Sequence, residues 1–231
     1  MSTPPGLVTL HLWGVPTRAV PAAAARMALD RRHLARAPGV RFAKLLGTGS
    51  GRTFSVADAD PHRWALLVAW DSAADADAFE TGRTVRAWGE LAAERLVVRM
   101  RPLSSRGTWS GAAPFGGPGR TRCAGPVASI TRARLRALRA AAFYRAVPPV
   151  AADLQRAPGL RLAVGIGEAP VGLQGTFSLW SDDGALRQFA HRRSPHLEVV
   201  RRTAAERWYA EELFARFQVL AVEGTVGGRT P

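Results

Sequence analysis

Apolar residues alternate with polar ones from Leu7 to Trp13, the two-residue period of a strand, and the spacing turns helical over Ala22 to Arg36 until Pro38-Gly39 ends it. Val40 to Leu46 and Trp64 to Trp70 again read as strands, joined through Gly47-Thr48-Gly49-Ser50-Gly51. Ser72 to Phe79 begins a second helix, and Arg95 to Arg101 is a strand, so the order is βαββαβ. Residues 102–126 are rich in Gly, Pro and Ser, as a linker is. The order then recurs. Val127 to Thr131 is a strand, and Arg134 to Val147 a helix with Leu135, Leu138 and Ala142 on one face, stopped by Pro148-Pro149. Leu160 to Ile166 and Gln174 to Trp180 are strands, and Asp182 to Arg192 is a helix. Ser194-Pro195 opens a further helix with Ser as N-cap, and Phe214 to Val222 closes the set as a strand.

The recurrence reaches individual residues. Ala37-Pro38-Gly39-Val40 is echoed by Ala157-Pro158-Gly159-Leu160, Trp70-Asp71 by Trp180-Ser181, and Phe79 by Phe189. Thr108-Trp109-Ser110-Gly111 is echoed by Thr225-Val226-Gly227-Gly228. A period of roughly 110–120 residues suits a duplicated small domain better than a solenoid repeat. The expected fold is α+β: tandem duplicated ferredoxin-like units (βαββαβ twice), over residues 1–101 and 127–231, with 102–126 between them. Packed sheet to sheet, the two units form a single-chain dimeric α+β barrel.

Composition narrows the function classes. The net charge is +14, carried almost wholly by arginine, with Lys44 the only lysine. The arginines (Arg31-Arg32, Arg132 to Arg139, Arg192-Arg193, Arg201-Arg202) are spread over both halves, whereas nucleic-acid binders concentrate charge on one element with stacking aromatics. Nucleic acid is therefore not the expected partner. One cysteine precludes an internal disulfide and suits a reducing compartment. No run of about 18 apolar residues is available to span a membrane, and Met1 to Pro5 does not open a signal peptide. The expected location is the cytoplasm.

Few motifs carry chemistry on their own. Gly47 to Gly51 lacks the Gly-Lys-Ser/Thr and the following helix of a phosphate loop, and reads as a flexible hairpin connection bordering a pocket. Phe115 to Gly125 resembles the cysteine-ligand loop of cytochromes P450, but its aromatic is one residue too far from Cys123 and the chain too short for that fold. Among the five histidines no metal-binding spacing occurs. His33, His62 and His191 lie among polar residues; His196 stands in a first helical turn with Val199 and Val200 at i+3 and i+4. Such a histidine is either a satisfied core residue or an iron ligand. The first half has Arg86 at the corresponding place. Glu206, Glu211 and Glu212 beside Trp208 and Tyr209 read as surface partners of nearby arginines.

Several segments together resemble a known family. They are Leu45 to Gly51, Pro126 to Ala133, Gly165 to Pro170, Gln174 to Trp180 and Trp208 to Phe217, the last preceded by His196. They are similar to the spheroidene monooxygenase family of carotenoid-ketolating enzymes, from about residue 7 to the C-terminus. The resemblance implies a haem-dependent oxygenase or peroxygenase, with haem b in the C-terminal unit and His196 as the axial ligand of its iron. It also implies Arg132 as distal catalytic donor, with a structural ion pair as the alternative, Arg201 or Arg202 at the haem propionates, and Phe177 flanking the cofactor pocket. The implied co-reactants are O2 with an external electron donor, or peroxide. The implied substrate is an apolar or aromatic small molecule, a carotenoid or a secondary-metabolite intermediate, and the positive charge suits an acidic ferredoxin-type redox partner. A haem-barrel dehydratase or N–O/N–N chemistry enzyme, and a haem-free ferredoxin-like binding protein, are the alternatives.

Overall fold

The computed structural model describes residues 4–50, 58–119, 122–136, 138, 149, 151–168, 173–192 and 208–231. Its strands are β1 (Leu7–Gly14), β2 (Val40–Gly49), β3 (Ala59–Trp70), β4 (Glu94–Gly107), β5 (Val127–Leu135), β6 (Leu160–Gly167), β7 (Leu173–Trp180) and β8 (Tyr209–Gly224). They close into an antiparallel barrel in the order β1-β3-β2-β6-β7-β5-β8-β4. Among the described residues, helices α1 (Val20–Leu34), α2 (Ala73–Glu80), α3 (Arg83–Gly89) and α4 (Asp183–Arg192) pack outside it, and residues 151–155 are helical as well. The fold is α+β, and no described helix is long and apolar enough to cross a membrane.

The order β4-β1-β3-β2 recurs as β8-β5-β7-β6, and the registers agree. Leu7 lies opposite Trp70 as Val127 lies opposite Trp180, and Leu45 faces Leu66 as Gly165 faces Thr176. Two seams join the halves. One is long, from Leu96 opposite Gly224 to Gly107 opposite Leu213. The other is short, Gly47-Thr48-Gly49 against Gly167-Ile166-Gly165.

Strand alternation assigns each side chain to a face. Inward go Val8, Leu10 and Leu12, Leu46, Leu67, Val98, Ala128 and Ile130, Val164 and Ile166, Phe177, and Leu213 to Phe217 at every second position, forming one core. Outward in the first half go Leu7, Trp13, Leu66, Val68 and Trp70, covered by Ala23 and Leu34 of α1, Ala76 of α2 and Trp88 of α3. Outward in the second half, the cluster among the described residues holds Val127 and Trp180 with Ala157, Leu186 and Phe189.

Four expectations change. Gly47 to Gly49 are strand residues in the short seam and not a hairpin connection. The stretch 102–126 begins as strand, since β4 continues to Gly107, and it buries Trp109 and Phe115 in the barrel core. Arg134 and Leu135 end β5 instead of starting a helix, and Leu138 is 98% exposed, so it faces no core. The helix α3, with Trp88 fully buried, had no sequence expectation.

Candidate functional site

Inward alternation carries four charged residues into one end of the barrel. Arg132 continues the inward positions Ala128 and Ile130 of β5, and Glu211 precedes Leu213 on β8. Glu168 follows Ile166, and Lys44 lies two before Leu46. Arg132 donates Nη1 to Glu211 Oε2, and Nη2 to Glu168 Oε1 at 2.9 Å, its side chain only 4% exposed. Lys44 Nζ lies 2.7 Å from Glu168 Oε2, and Trp109 Nε1 donates to Glu168 Oε1 at 2.7 Å. The Arg132 guanidinium carbon lies 5.5 Å from the Trp109 ring centroid.

Glu211 also holds the turn after β4. It accepts from Thr108 Oγ1 at 3.1 Å and from the Gly111 N–H at 2.8 Å. Ser110 and Gly111 both have positive φ, 55° and 77°, as a tight primed hairpin turn requires. Burial opposes ionisation of Glu211, but the Gly111 N–H, Arg132, Thr108 and the Ser110 N–H outweigh it and bring the carboxyl down to about 2. Glu168 is likewise lowered: burial is outweighed by Lys44, Trp109 and Arg132. Both carboxylates are ionised and saturated with donors, so this cluster has no proton to exchange near neutrality. It is a lock between the halves, since Lys44, Thr108 and Trp109 come from one and Arg132, Glu168 and Glu211 from the other.

The outward face of the second half is different in kind. Residues paired across a ladder share a face. One row runs Gly165, Thr176, Thr131, Phe214, Arg106 across β6, β7, β5, β8 and β4, and the next runs Ala163, Ser178, Ser129, Arg216, Ser104. The corresponding rows of the first half are Leu45, Leu66, His11, Val97 and Ala43, Val68, Thr9, Arg99. Where the first half carries Leu45, Leu66, His11, Val68 and Trp13, the second carries Gly165, Thr176, Thr131, Ser178 and Ala133. The first half uses that bulk: Trp13 stacks on Trp88 at 5.0 Å and on His11 at 5.2 Å, all buried. Burial first, then Arg95 and Arg99, push the His11 imidazole down to about 3, so it is neutral there. In the second half Thr131 is exposed. The Ser129 and Ser178 hydroxyls bond each other at 2.8 Å, whereas among the described residues no partner meets the hydroxyls of Thr131 and Thr176.

This face is a shelf of small side chains. Strands lie about 4.8 Å apart, so β6, β7 and β5 together present a strip of small side chains about 10 Å across, bordered by Phe214 and Arg216 of β8. A flat, largely apolar group fits such a strip, with hydroxyls beneath it and arginines at one side. Arg216 is held by Asp183 Oδ1 at 2.6 Å, and Arg106 lies over the Phe214 ring at 5.1 Å. At the opposite end of the barrel from Arg132, Ser50, Asp58, His62, Leu162, Val164 and Val226 border an open cleft of about 480 Å³ beside the short seam.

The sequence-derived candidates are thus separated. Arg132 points into the barrel, away from the shelf, and is engaged by two carboxylates. Phe177 is fully buried in the barrel core, on the sheet's inner side. His196, Arg201 and Arg202 lie outside the described residues. Cys123 packs beside the Val127–Trp180 cluster, its thiol raised chiefly by burial. Glu211, expected at the surface, has a side chain 8% exposed. No group of three or more possible metal ligands occurs among the described residues.

No family profile matches the chain. Curated relatives do. The chain is 37% identical to the spheroidene monooxygenase of Rhodobacter capsulatus over 221 residues, covering 93% of this chain and 90% of that protein. The chain belongs to the spheroidene monooxygenase family. The enzyme of the same name from Rubrivivax gelatinosus is 40% identical over 195 residues, covering 83% of this chain and 73% of that protein. As a member of the spheroidene monooxygenase family the chain is an enzyme, an oxygenase. Among solved structures, two aldoxime dehydratases superpose with TM-scores of 0.63 and 0.62 at 11% identity, covering 97% and 92% of this chain and 83% and 80% of theirs. They bear on the fold of this family member alone.

Proposed function

We propose that this chain is a haem-dependent oxygenase acting on a long apolar polyene of the carotenoid class, with haem b on the outward face of the second half. The observation that supports this best is the loss of side-chain bulk there. At matched registers Leu45, Leu66, His11 and Trp13 give way to Gly165, Thr176, Thr131 and Ala133. A fold that repeats its strand order and registers has no packing reason to empty one of two equivalent faces. In this reading the halves are copies of one ferredoxin-like unit, the first kept as a filled support and the second hollowed for a cofactor.

His196 would be the axial ligand, an assignment that rests on the family resemblance, as does Arg202 at a haem propionate. When bound, haem supplies an iron at which oxygen is activated, from O2 with external electrons or from peroxide. The chain's own residues supply the setting. Ala163 and Thr131, which are not buried, leave room for the ring, and Phe214 gives it an apolar contact. Thr131 and Thr176 offer hydroxyl donors from the sheet. Arg132 enters as a positioning residue, since its inward lock fixes the segment of β5 that carries Thr131 and Ala133. Phe177 backs the same sheet from within the barrel. An acidic ferredoxin-type electron donor suits a chain of net charge +14, and one unpaired cysteine, Cys123, suits the cytoplasm.

The test is an absorption spectrum of the purified chain with and without added ferric haem, for the wild type and His196→Ala, followed by product analysis with a carotenoid. A Soret band that His196→Ala loses or shifts, with an oxygenated polyene as product, is the expected result. A colourless wild-type protein that ignores haem would sink the proposal.

A further inference from the structure

We infer that Arg106 is the anchoring cation for the carboxylate edge of the planar group carried on the second half's outward face, so that the first half completes the second half's site. The inference rests on the haem reading above and names a residue for it.

Its position follows from the long seam. Arg106 lies near the end of β4, the first half's last strand, yet pairs with Phe214 of β8, which in turn pairs with Thr131 of β5. All three share the outward face. Two strand spacings separate Arg106 from Thr131, about 10 Å. A porphyrin centred over the Thr131 and Thr176 hydroxyls would bring its carboxylate-bearing edge to this distance. An arginine side chain reaches the remainder.

The guanidinium is available for that contact. Its carbon lies over the Phe214 ring at 5.1 Å, within cation–π range, which holds the charge at this end of the face. Arg106 is exposed, and among the described residues no carboxylate pairs with it. The neighbouring arginines are committed. Arg216 is bound to Asp183 at 2.6 Å and Arg187 to Asp183 at 3.0 Å. Arg101 shares the face, but its row, through Gln218, is filled by Val127 and Trp180. The matched row of the first half ends the other way round: Val97, the counterpart of Phe214, pairs with Glu223. The cation therefore belongs to the emptied face only.

A pair of ligands that differ only in charge tests this. The cofactor-free chain is titrated with ferric haem and with its dimethyl ester, whose carboxylates are blocked, for the wild type, Arg106→Gln and Arg106→Lys. Arg106→Gln is expected to weaken ferric haem binding by about tenfold or more, with Arg106→Lys between it and the wild type, while the ester binds all three alike. Arg106→Gln binding haem as tightly as the wild type, or losing haem and ester equally, overturns the inference and leaves the haem reading standing. A wild type that takes up neither ligand overturns both.

Discussion

Glu94 stands to the turn after β8 as Glu211 stands to the turn after β4. Glu211 accepts from Thr108 Oγ1 and the Gly111 N–H; Glu94 accepts from Thr225 Oγ1 at 3.0 Å and the Gly228 N–H at 2.7 Å. Each half's last strand thus carries the carboxylate that fastens the other half's closing hairpin. The exchange breaks at one point: Glu211 also binds a buried arginine, and the residue matching Arg132 in the first half is Leu12.

That difference sets unequal costs. Glu211→Gln leaves the Arg132 charge buried with one carboxylate fewer and should lower stability by about 3 kcal/mol. Glu94→Gln weakens hydrogen bonds to a turn and should cost about 1 kcal/mol. Urea denaturation of the two variants beside the wild type measures both. Equal losses would show that the Arg132 pair adds nothing.

Acid should act in two stages. His11 has a folded pKa of about 3, below its usual 6.5, so the unfolded chain binds more protons and stability falls as pH drops from about 6.5 towards 3. Glu211 has a folded pKa of about 2, so its contribution is full above the unfolded value and is lost as pH falls from about 4.5 towards 2. Melting temperature against pH should flatten in the upper window for His11→Gln and in the lower for Glu211→Gln. NMR of the wild type should show no titration of the His11 ring between about pH 5 and 8.

Refilling the shelf should restore the first half's character. Thr176→Leu with Thr131→His installs the counterparts of Leu66 and His11. The double variant is expected to lose haem uptake without a lower melting temperature. Undiminished uptake would mean that the ring sits elsewhere.

The pattern of apolar positions located nearly all the strands, because each is half inside a barrel and half under helices, which enforces alternation. The same pattern carries two charges at inward positions. Arg132 shares parity with Ala128 and Ile130, and Glu211 with Leu213 and Ala215, so both charges stand at inward positions and need each other. Neighbours in sequence suggest surface pairing for Glu211, whereas its partner Arg132 comes from another strand. The stretch 102–126 read as a linker by its Gly, Pro and Ser; Trp109 and Phe115 within it were the sign that it enters the core. Gly47 to Gly49 could not be placed from local pattern, since their partners Gly165 to Gly167 lie in the other half. The shelf is legible only as a difference between the two halves, once register gives each residue its counterpart.

The inequality of the seams has a consequence for how the molecule opens. Along the long seam eleven register pairs must separate together. At the short one the ladder is only three residue pairs long, with the Lys44–Glu168 ion pair fastening one end, so local separation there starts from the Gly49–Gly165 end. Gly165 belongs both to that joint and to the end of the shelf, and the open cleft lies beside it. Opening of this wall should therefore begin beside the cleft, and amide exchange should be faster at Gly49 than along Val97 to Met100.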